Sequence, residues 1–426
     1  MELLTSPAGG TPPVISDSHA LRVALDSLRL GTGPIAIDAE RASGYRYSSR
    51  AYLIQLYRRG GGLHLLDPIA LRNCIEIEEL QAIISGAESI IHASTQDLSC
   101  LRDFGIDPIN LFDTELGARI ANCERVGLGP LCESLLQISL AKEHSAVDWS
   151  IRPLRPEWLD YAALDVAVLI DLRDAVAGLL EEQGKLSWAK AEFAHLLRQG
   201  PPSPKKDPWR RTSGMHQVKN RADLAIVREL WNARDLRASE LDIAPGRLLS
   251  DSVIVELALR KPATEGDFRA LPILREKIRN DLQREHLPTW WSVLQRAYGL
   301  QSSEWPEMRA RSEALPPPRI WREKYPLAYA HLQHARKSLS EVSAEQGIPL
   351  ENLISPEIVR RITFDDGKER KFGGSPEQSI PELADQVART LRELGARDWQ
   401  IELTGAAIAT ALTQTEPPVV TSPPSE

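Results

Sequence analysis

Cysteine is scarce in this chain, with four residues in 426. Cys74, Cys100, Cys123 and Cys132 fit no zinc-site spacing, and with no sign of secretion they are expected to be reduced and mostly buried. Long apolar runs are missing too. No stretch of about 18 apolar residues exists to span a bilayer. The start Met1-Glu2-Leu3-Leu4-Thr5 lacks the positive charge plus apolar core of a signal peptide, so the expected compartment is the cytoplasm. An excess of positive charge is absent: the net charge is −8. No global basic field therefore advertises nucleic acid, although a local patch is what binds phosphate. Gly-x-x-x-x-Gly-Lys-Ser/Thr occurs nowhere, which removes ATP chemistry on a P-loop.

Hydrophobic content of 42% and charged content of 26% belong to a folded protein, and the length implies two to four domains. Thirty prolines mark the seams. Residues 1–14, rich in Gly, Pro, Ser and Thr, are expected to be flexible. Ile35–Glu40, Tyr52–Tyr57 and Leu63–Asp67 read as strands joined by turns at Gly44 and Gly60-Gly61-Gly62. A helix over Cys74–Ile84, a strand over Ser89–His92 and a helix from Asp97 follow. One long helix is expected from Pro156, a residue suited to a first helical turn, to Glu182. The pattern predicts an α/β domain over 15–190, a mixed sheet covered by helices.

Gln199–Pro208 is a linker by composition, extended here to residue 211, and the chain beyond it is helical. A helical domain over 212–295 and another over 320–412, separated by Pro316-Pro317-Pro318, precede a disordered tail at 413–426. The two helical regions echo each other. Leu230–Leu236 leads to Leu248–Ile254 much as Leu332–Leu339 leads to Leu353–Val359, which suggests a degenerate repeat.

The chemistry concentrates in three acidic clusters. Period-2 alternation puts Asp38 and Glu40 on one face of a strand. Asp97 follows the apolar run Ile90-Ile91. Tyr161 and Asp165 share one helical face a turn apart. Each has a bland explanation: a solvated acid pair, a helix N-cap, a half-buried aromatic beside an exposed acid. Together, and so close to apolar runs, they require compensation, and a divalent cation supplies it. His92, inside Ile90-Ile91-His92-Ala93, reads as a satisfied core residue rather than a ligand.

These segments resemble the DEDDy exonucleases of the ribonuclease H-like superfold, and specifically the ribonuclease D group of bacterial type. The resemblance is carried by Asp38-Ala39-Glu40, Leu53-Ile54-Gln55-Leu56, His92-Ala93 with Asp97-Leu98, and Phe112-Asp113-Thr114. It is strongest in Asp148-Trp149-Ser150-Ile151-Arg152-Pro153-Leu154 followed by Tyr161-Ala162-Ala163-Leu164-Asp165. Residues 212–295 resemble the HRDC domain, on Trp231–Arg237 and Leu248–Ile254, and 320–412 would be a second, degenerate unit of that type.

The resemblance implies 3′–5′ hydrolysis of RNA to nucleoside 5′-monophosphates, with tRNA precursors as natural substrates. It implies two divalent ions, Mg²⁺ or Mn²⁺. Asp38 would bridge them, Glu40 and Asp165 would hold one, and Asp97 would reach the other through water. Tyr161, a phenol too weakly acidic to act as base at neutral pH, would orient the attacking water. DNA is the alternative substrate; a non-catalytic RNA-binding scaffold and a paired-carboxylate glycosidase explain less of the sequence. Between Lys205 and Lys261 twelve Lys or Arg face eight Asp or Glu, so positive charge gathers there. Arg210, Arg211, Lys219 and Arg221 are candidate phosphate contacts, and Gln55 a candidate substrate contact. The sequence leaves the oligomeric state open.

Overall fold

The computed structural model describes residues 2–141, 146–200, 203–309, 315–364 and 380–418. Its eight strands are β1 (Glu2–Leu4), β2 (Val14–Ile15), β3 (Ile35–Arg41), β4 (Ala51–Arg58), β5 (Gly62–Leu66), β6 (Ser89–Ile91), β7 (Leu111–Asp113) and β8 (Ile138–Leu140). Six of them form one mixed sheet in the order β2-β5-β4-β3-β6-β7. β3 pairs antiparallel with β4 and parallel with β6, so it lies inside the sheet with neighbours on both edges. That position explains its composition: Ile35, Ala36 and Ile37 are all fully buried, as a strand covered on both faces requires.

Helices cover the sheet. α1 (Ser18–Leu30) and α2 (Glu76–Ser85) pack on each other. α3 (Leu98–Phe104) follows β6, and α4 (Thr114–Ile120) follows β7 directly. α5 (Pro156–Ala167) lies against β3, β4 and β5, whereas α6 (Leu169–Glu182) lies against β3, β6 and α4. α7 (Leu186–Arg198) closes the domain against β7. The expected single helix over 156–182 is thus two helices that break at Val168. Each half follows a different part of the sheet, and no Gly or Pro in Ala167-Val168-Leu169 marks the bend.

Two boundaries differ from expectation. The N-terminus is not loose: β1 pairs in parallel with β8, and Thr11 Oγ1 donates to Asp160 at 2.5 Å. Three ladder positions outweigh the Gly/Pro-rich composition around them. The linker also ends earlier than residue 211. Trp209, 4% exposed, belongs to the core of the first helical domain, because an indole buries more apolar area than the flanking polar residues lose.

That domain contains α8 (Arg221–Leu241), a short helical turn Pro245–Leu248, α9 (Asp251–Arg260) and α10 (Leu287–Tyr298), around Leu230, Val253, Phe268 and Trp290. The last domain contains α11 (Pro326–Gln346), the turn Leu350–Leu353, α12 (Pro356–Thr363), α13 (Ile380–Glu393) and α14 (Asp398–Leu412), around Trp321, Leu332, Val387 and Ile408. The residues of the tail from 419, and the charged stretch 365–371, lie outside the described residues. Among the described residues no helix is long and apolar enough to cross a membrane.

Candidate active site

The geometry starts from β3. Asp38 and Glu40 leave the strand on one face, and α5 crosses that face with Tyr161 and Asp165 one turn apart. Carboxylate oxygens of Asp38, Glu40 and Asp165 come within 4.8 Å of one another. Asp97 stands outside this trio but lines the same cleft of about 780 Å³, together with Tyr161. The four carboxylates and the tyrosine, scattered over 128 positions of sequence, therefore share one cavity.

Asp97 is delivered by an unusual turn. β6 ends, Ala93 adopts the left-handed conformation at φ 57°, and the 3-10 turn Ser94–Gln96 intervenes before α3. A non-glycine residue there needs support. Asp113, 2% exposed, provides it. Its carboxylate accepts from Ala93 N at 3.2 Å, Ser94 N at 2.8 Å and Ser94 Oγ at 2.7 Å, and it caps α4 through Leu116 N at 3.0 Å. Asp97 occupies the N-cap position just before α3, but its side chain makes no capping bond, so capping does not account for the carboxylate. His92 Nδ1 pairs with Thr114 Oγ1 at 2.9 Å, a satisfied ring rather than a ligand of the trio.

Burial raises the pKa of Asp38, Glu40, Asp97 and Asp165, and their mutual repulsion adds to it. Burial pushes Asp97 up to about 8, the Asp38 charge adds to the rise, and Arg41 opposes it. Burial also lifts Asp38, against the Ala39 N–H and Arg41. Glu40 is lifted well above its ordinary value by burial, then by Asp38, Asp165 and Asp97. Asp165 rises well above normal through burial and Asp38, while the Tyr161 hydroxyl that donates to it works the other way. Tyr161 rises as well, by burial first and then by Asp165 and Glu40. Four acids in one desolvated cleft are costly alone and favourable around multivalent positive charge. Their all-oxygen donor set suits a hard divalent cation, so these residues fit a metal centre.

Arg41 was not among the expected site residues. It follows Glu40 directly, lines the cleft, and places Nε 3.5 Å from Asp97 Oδ1. Its adjacency to the Asp-x-Glu was the available signal. Glu133, a further cleft-lining acid, had no recognisable context.

The motif Asp148–Leu154 is scaffolding. Trp149 is fully buried with its ring 5.7 Å from that of Trp158. Arg152 forks onto Asp67 at 2.6 and 2.9 Å and donates to Tyr52 O at 2.7 Å, anchoring the entry to α5 on β4 and β5.

The expected nucleic-acid contacts fare worse. Gln55 is fully buried, paired across the sheet with Asp38, and cannot meet a substrate at the surface. Arg210 stacks on Trp209 at 4.3 Å and donates to Glu307 O at 2.8 Å. Arg221 donates to Trp305 O at 2.8 Å and pairs with Glu307. Both hold the segment that follows α10, so intramolecular carbonyls have taken the donors intended for phosphate. Arg211 and Lys219 are exposed, and neither lines the cleft.

Sheet, covering helices and clustered acids define a mixed α/β domain with a candidate metal centre, joined to two all-helical domains. Residues 12–181 match the family model described as 3′–5′ exonuclease, 223–287 the HRDC domain, and 314–412 the 3′ to 5′ exonuclease C-terminal domain. The chain belongs to the ribonuclease D family. It is 31% identical over 279 residues to ribonuclease D of Gluconacetobacter diazotrophicus, covering 64% of this chain and 68% of that one. Across three curated ribonucleases D of 30–32% identity the chain spans 58 to 68% of their length. A crystal structure of a protein from Bifidobacterium adolescentis is similar over 97% of this chain and 100% of its own, with TM-score 0.85 and 37% identity. Escherichia coli RNase D, described as an exoribonuclease involved in structured RNA processing, shares the fold. It has TM-score 0.63 and 23% identity over 95% of this chain and 99% of its own.

Proposed function

We propose that the chain is a 3′–5′ exoribonuclease that removes nucleoside 5′-monophosphates from RNA with a free 3′ end, tRNA precursors among them. The observation that carries this reading is the convergence of Asp38, Glu40 and Asp165 within 4.8 Å, with Asp97 and Tyr161 in the same cleft. Asp38, Glu40, Asp97 and Asp165 would hold two divalent ions, Mg²⁺ or Mn²⁺. Bound there, the ions supply the positive charge that stabilises the attacking and leaving oxygens of an in-line displacement.

The chain's own residues do the rest. Tyr161 is a poor base, since burial raises its pKa further, and its hydroxyl already donates to Asp165. It is suited to fix the direction of an attacking water by hydrogen bonding. Arg41, beside Asp97, is placed to meet a phosphate oxygen. We also take residues 320–412 as a degenerate copy of the first helical domain. α8 and α11 are each 21 residues long and end on left-handed Asp242 and Gly347. Each is followed by a four-residue helical turn, an extended Leu249 or Ile354, and a serine before the next helix.

The test is a digestion time course on a tRNA carrying a 3′ trailer, with Mg²⁺, with Mn²⁺ and with chelator, beside a DNA oligomer of matched sequence. Metal-dependent shortening of the RNA from its 3′ end, with mononucleotide release, is expected. Faster loss of the DNA would move the assignment to a DNA exonuclease.

A further inference from the structure

The β3–β4 loop, residues 42–50, begins where the Asp-x-Glu strand ends and carries Ser43 into the cleft. It is held from outside its own domain. Asp242, the residue that ends α8, takes φ 48°. Glycine is the usual residue at a left-handed helix end, because any side chain there adds strain. Asp is tolerated, and here its carboxylate has work in the neighbouring domain. Oδ1 accepts from Ser48 N at 2.8 Å, and Oδ2 accepts from Arg50 Nη2 at 2.8 Å and from the Tyr52 hydroxyl at 3.2 Å.

The contacts beside it run the same way. Ala244 N donates to Tyr45 O at 3.0 Å, and Arg247 Nε donates to Gly44 O at 2.7 Å with its guanidinium 4.0 Å above the Tyr45 ring. The Tyr47 hydroxyl donates to Asp235 at 3.1 Å. Ala51 and Leu53, which flank Tyr52, pair across the sheet with Arg41 and Glu40. Asp242 therefore grips β4 next to the register positions that set the rim of the cleft. Within the loop Arg46 Nε also donates to Ser150 Oγ at 2.7 Å and Arg50 Nε to Ser48 Oγ at 2.8 Å, so its basic and aromatic side chains fix its shape beside the cleft.

We propose that Asp242 is a positioning residue for substrate binding: from the HRDC-type domain it fixes the β3–β4 loop, and so determines how RNA is seated at the mouth of the carboxylate cleft. The proposal rests on the exoribonuclease reading above. It assigns the helical domain a local task at the site, carried by one side chain.

The experiment compares wild type, Asp242→Ala and Asp242→Asn as full-length proteins on a single-stranded RNA oligomer. It records KM and kcat separately, Mn²⁺ affinity by calorimetry, and thermal unfolding. Loss of charge-assisted hydrogen bonds in Asp242→Ala is expected to raise KM about tenfold with kcat changed less than about threefold. Mn²⁺ affinity should stay at the wild-type value, because the four acids keep their places. Asparagine still accepts from the Ser48 N–H, so Asp242→Asn should recover part of the lost KM, which a general loss of stability would not produce. A wild-type KM in Asp242→Ala, beside an active wild type, overturns the proposal alone. A parallel fall in Mn²⁺ affinity would also overturn it, as the effect would then lie in the carboxylates. Absence of RNA hydrolysis by the wild type with either metal would overturn the exoribonuclease reading, and this inference with it.

Discussion

At the scale of single residues, the site is defined by what each acid lacks when alone. Asp97 has an ordinary pKa of 3.8, raised to about 8 mainly by burial. A raised folded-state value means that its contribution to stability is fully present below about pH 4 and is lost as pH rises through about 8. Divalent ions bind the deprotonated form, so they must displace this proton at lower pH. Mg²⁺ should therefore bind at least about tenfold more tightly at pH 8 than at pH 6.5, and raise the unfolding temperature more at the higher pH. Calorimetry and thermal melts at both values check this; an affinity independent of pH would contradict the crowded-acid picture. Tyr161→Phe removes one hydroxyl and no carboxylate. Its kcat should fall about 100-fold, within the range of positioned proton-handling groups, with Mn²⁺ affinity unchanged. An unaltered kcat would reduce Tyr161 to packing.

At the scale of elements, Asp113 is the hinge pin between β7, α4 and the turn that delivers Asp97. Asp113→Ala leaves the Ala93 and Ser94 N–H groups without their acceptor and uncaps α4. A loss of about 2–4 kcal/mol is expected, together with weaker metal binding, from urea unfolding and Mn²⁺ titration on the same variant. Asp113→Asn, which keeps one acceptor, should lose less. The role was invisible in Phe112-Asp113-Thr114 as written, because nothing local says that a strand-end carboxylate will cap a helix and brace a turn 19 residues earlier. The acids that share the cleft were legible for the opposite reason. Metal chemistry needs carboxylates at strand ends and helix faces, and period-2 and i,i+4 spacing display them directly. Elements failed where partners lie far away: β1 needs β8 to be a strand at all, and the Val168 break depends on what α5 and α6 pack against. The patch around Arg210 and Arg221 misled because charge in a sequence does not reveal whether a carbonyl of the same chain has already taken it.

At the scale of the whole molecule, the exonuclease domain is clasped by both helical domains at separate places. Asp242 and its neighbours hold the β3–β4 loop, and α7 receives the C-terminal domain. On α7 Glu192, 7% exposed, accepts from Arg397 Nε at 2.6 Å and Nη2 at 2.5 Å and from Trp399 Nε1 at 2.9 Å. Trp188 stacks on Trp399 with ring centroids 5.3 Å apart. A buried ion pair contributes little net stability when made, yet breaking one partner leaves an uncompensated charge and costs about 3–5 kcal/mol. Arg397→Ala should therefore undock the C-terminal domain, seen as a larger radius in small-angle scattering and a change in tryptophan emission as the stacked indoles part. Arg397→Ala combined with Glu192→Leu removes the stranded carboxylate, leaving the Trp399 N–H without its acceptor and the solvent-exposed Gly395 carbonyl without its donor. The double variant should then be less destabilised than Arg397→Ala alone. If the two changes instead add, the pair is not a coupled buried contact, and the C-terminal domain is held by the indole stack and its apolar surround.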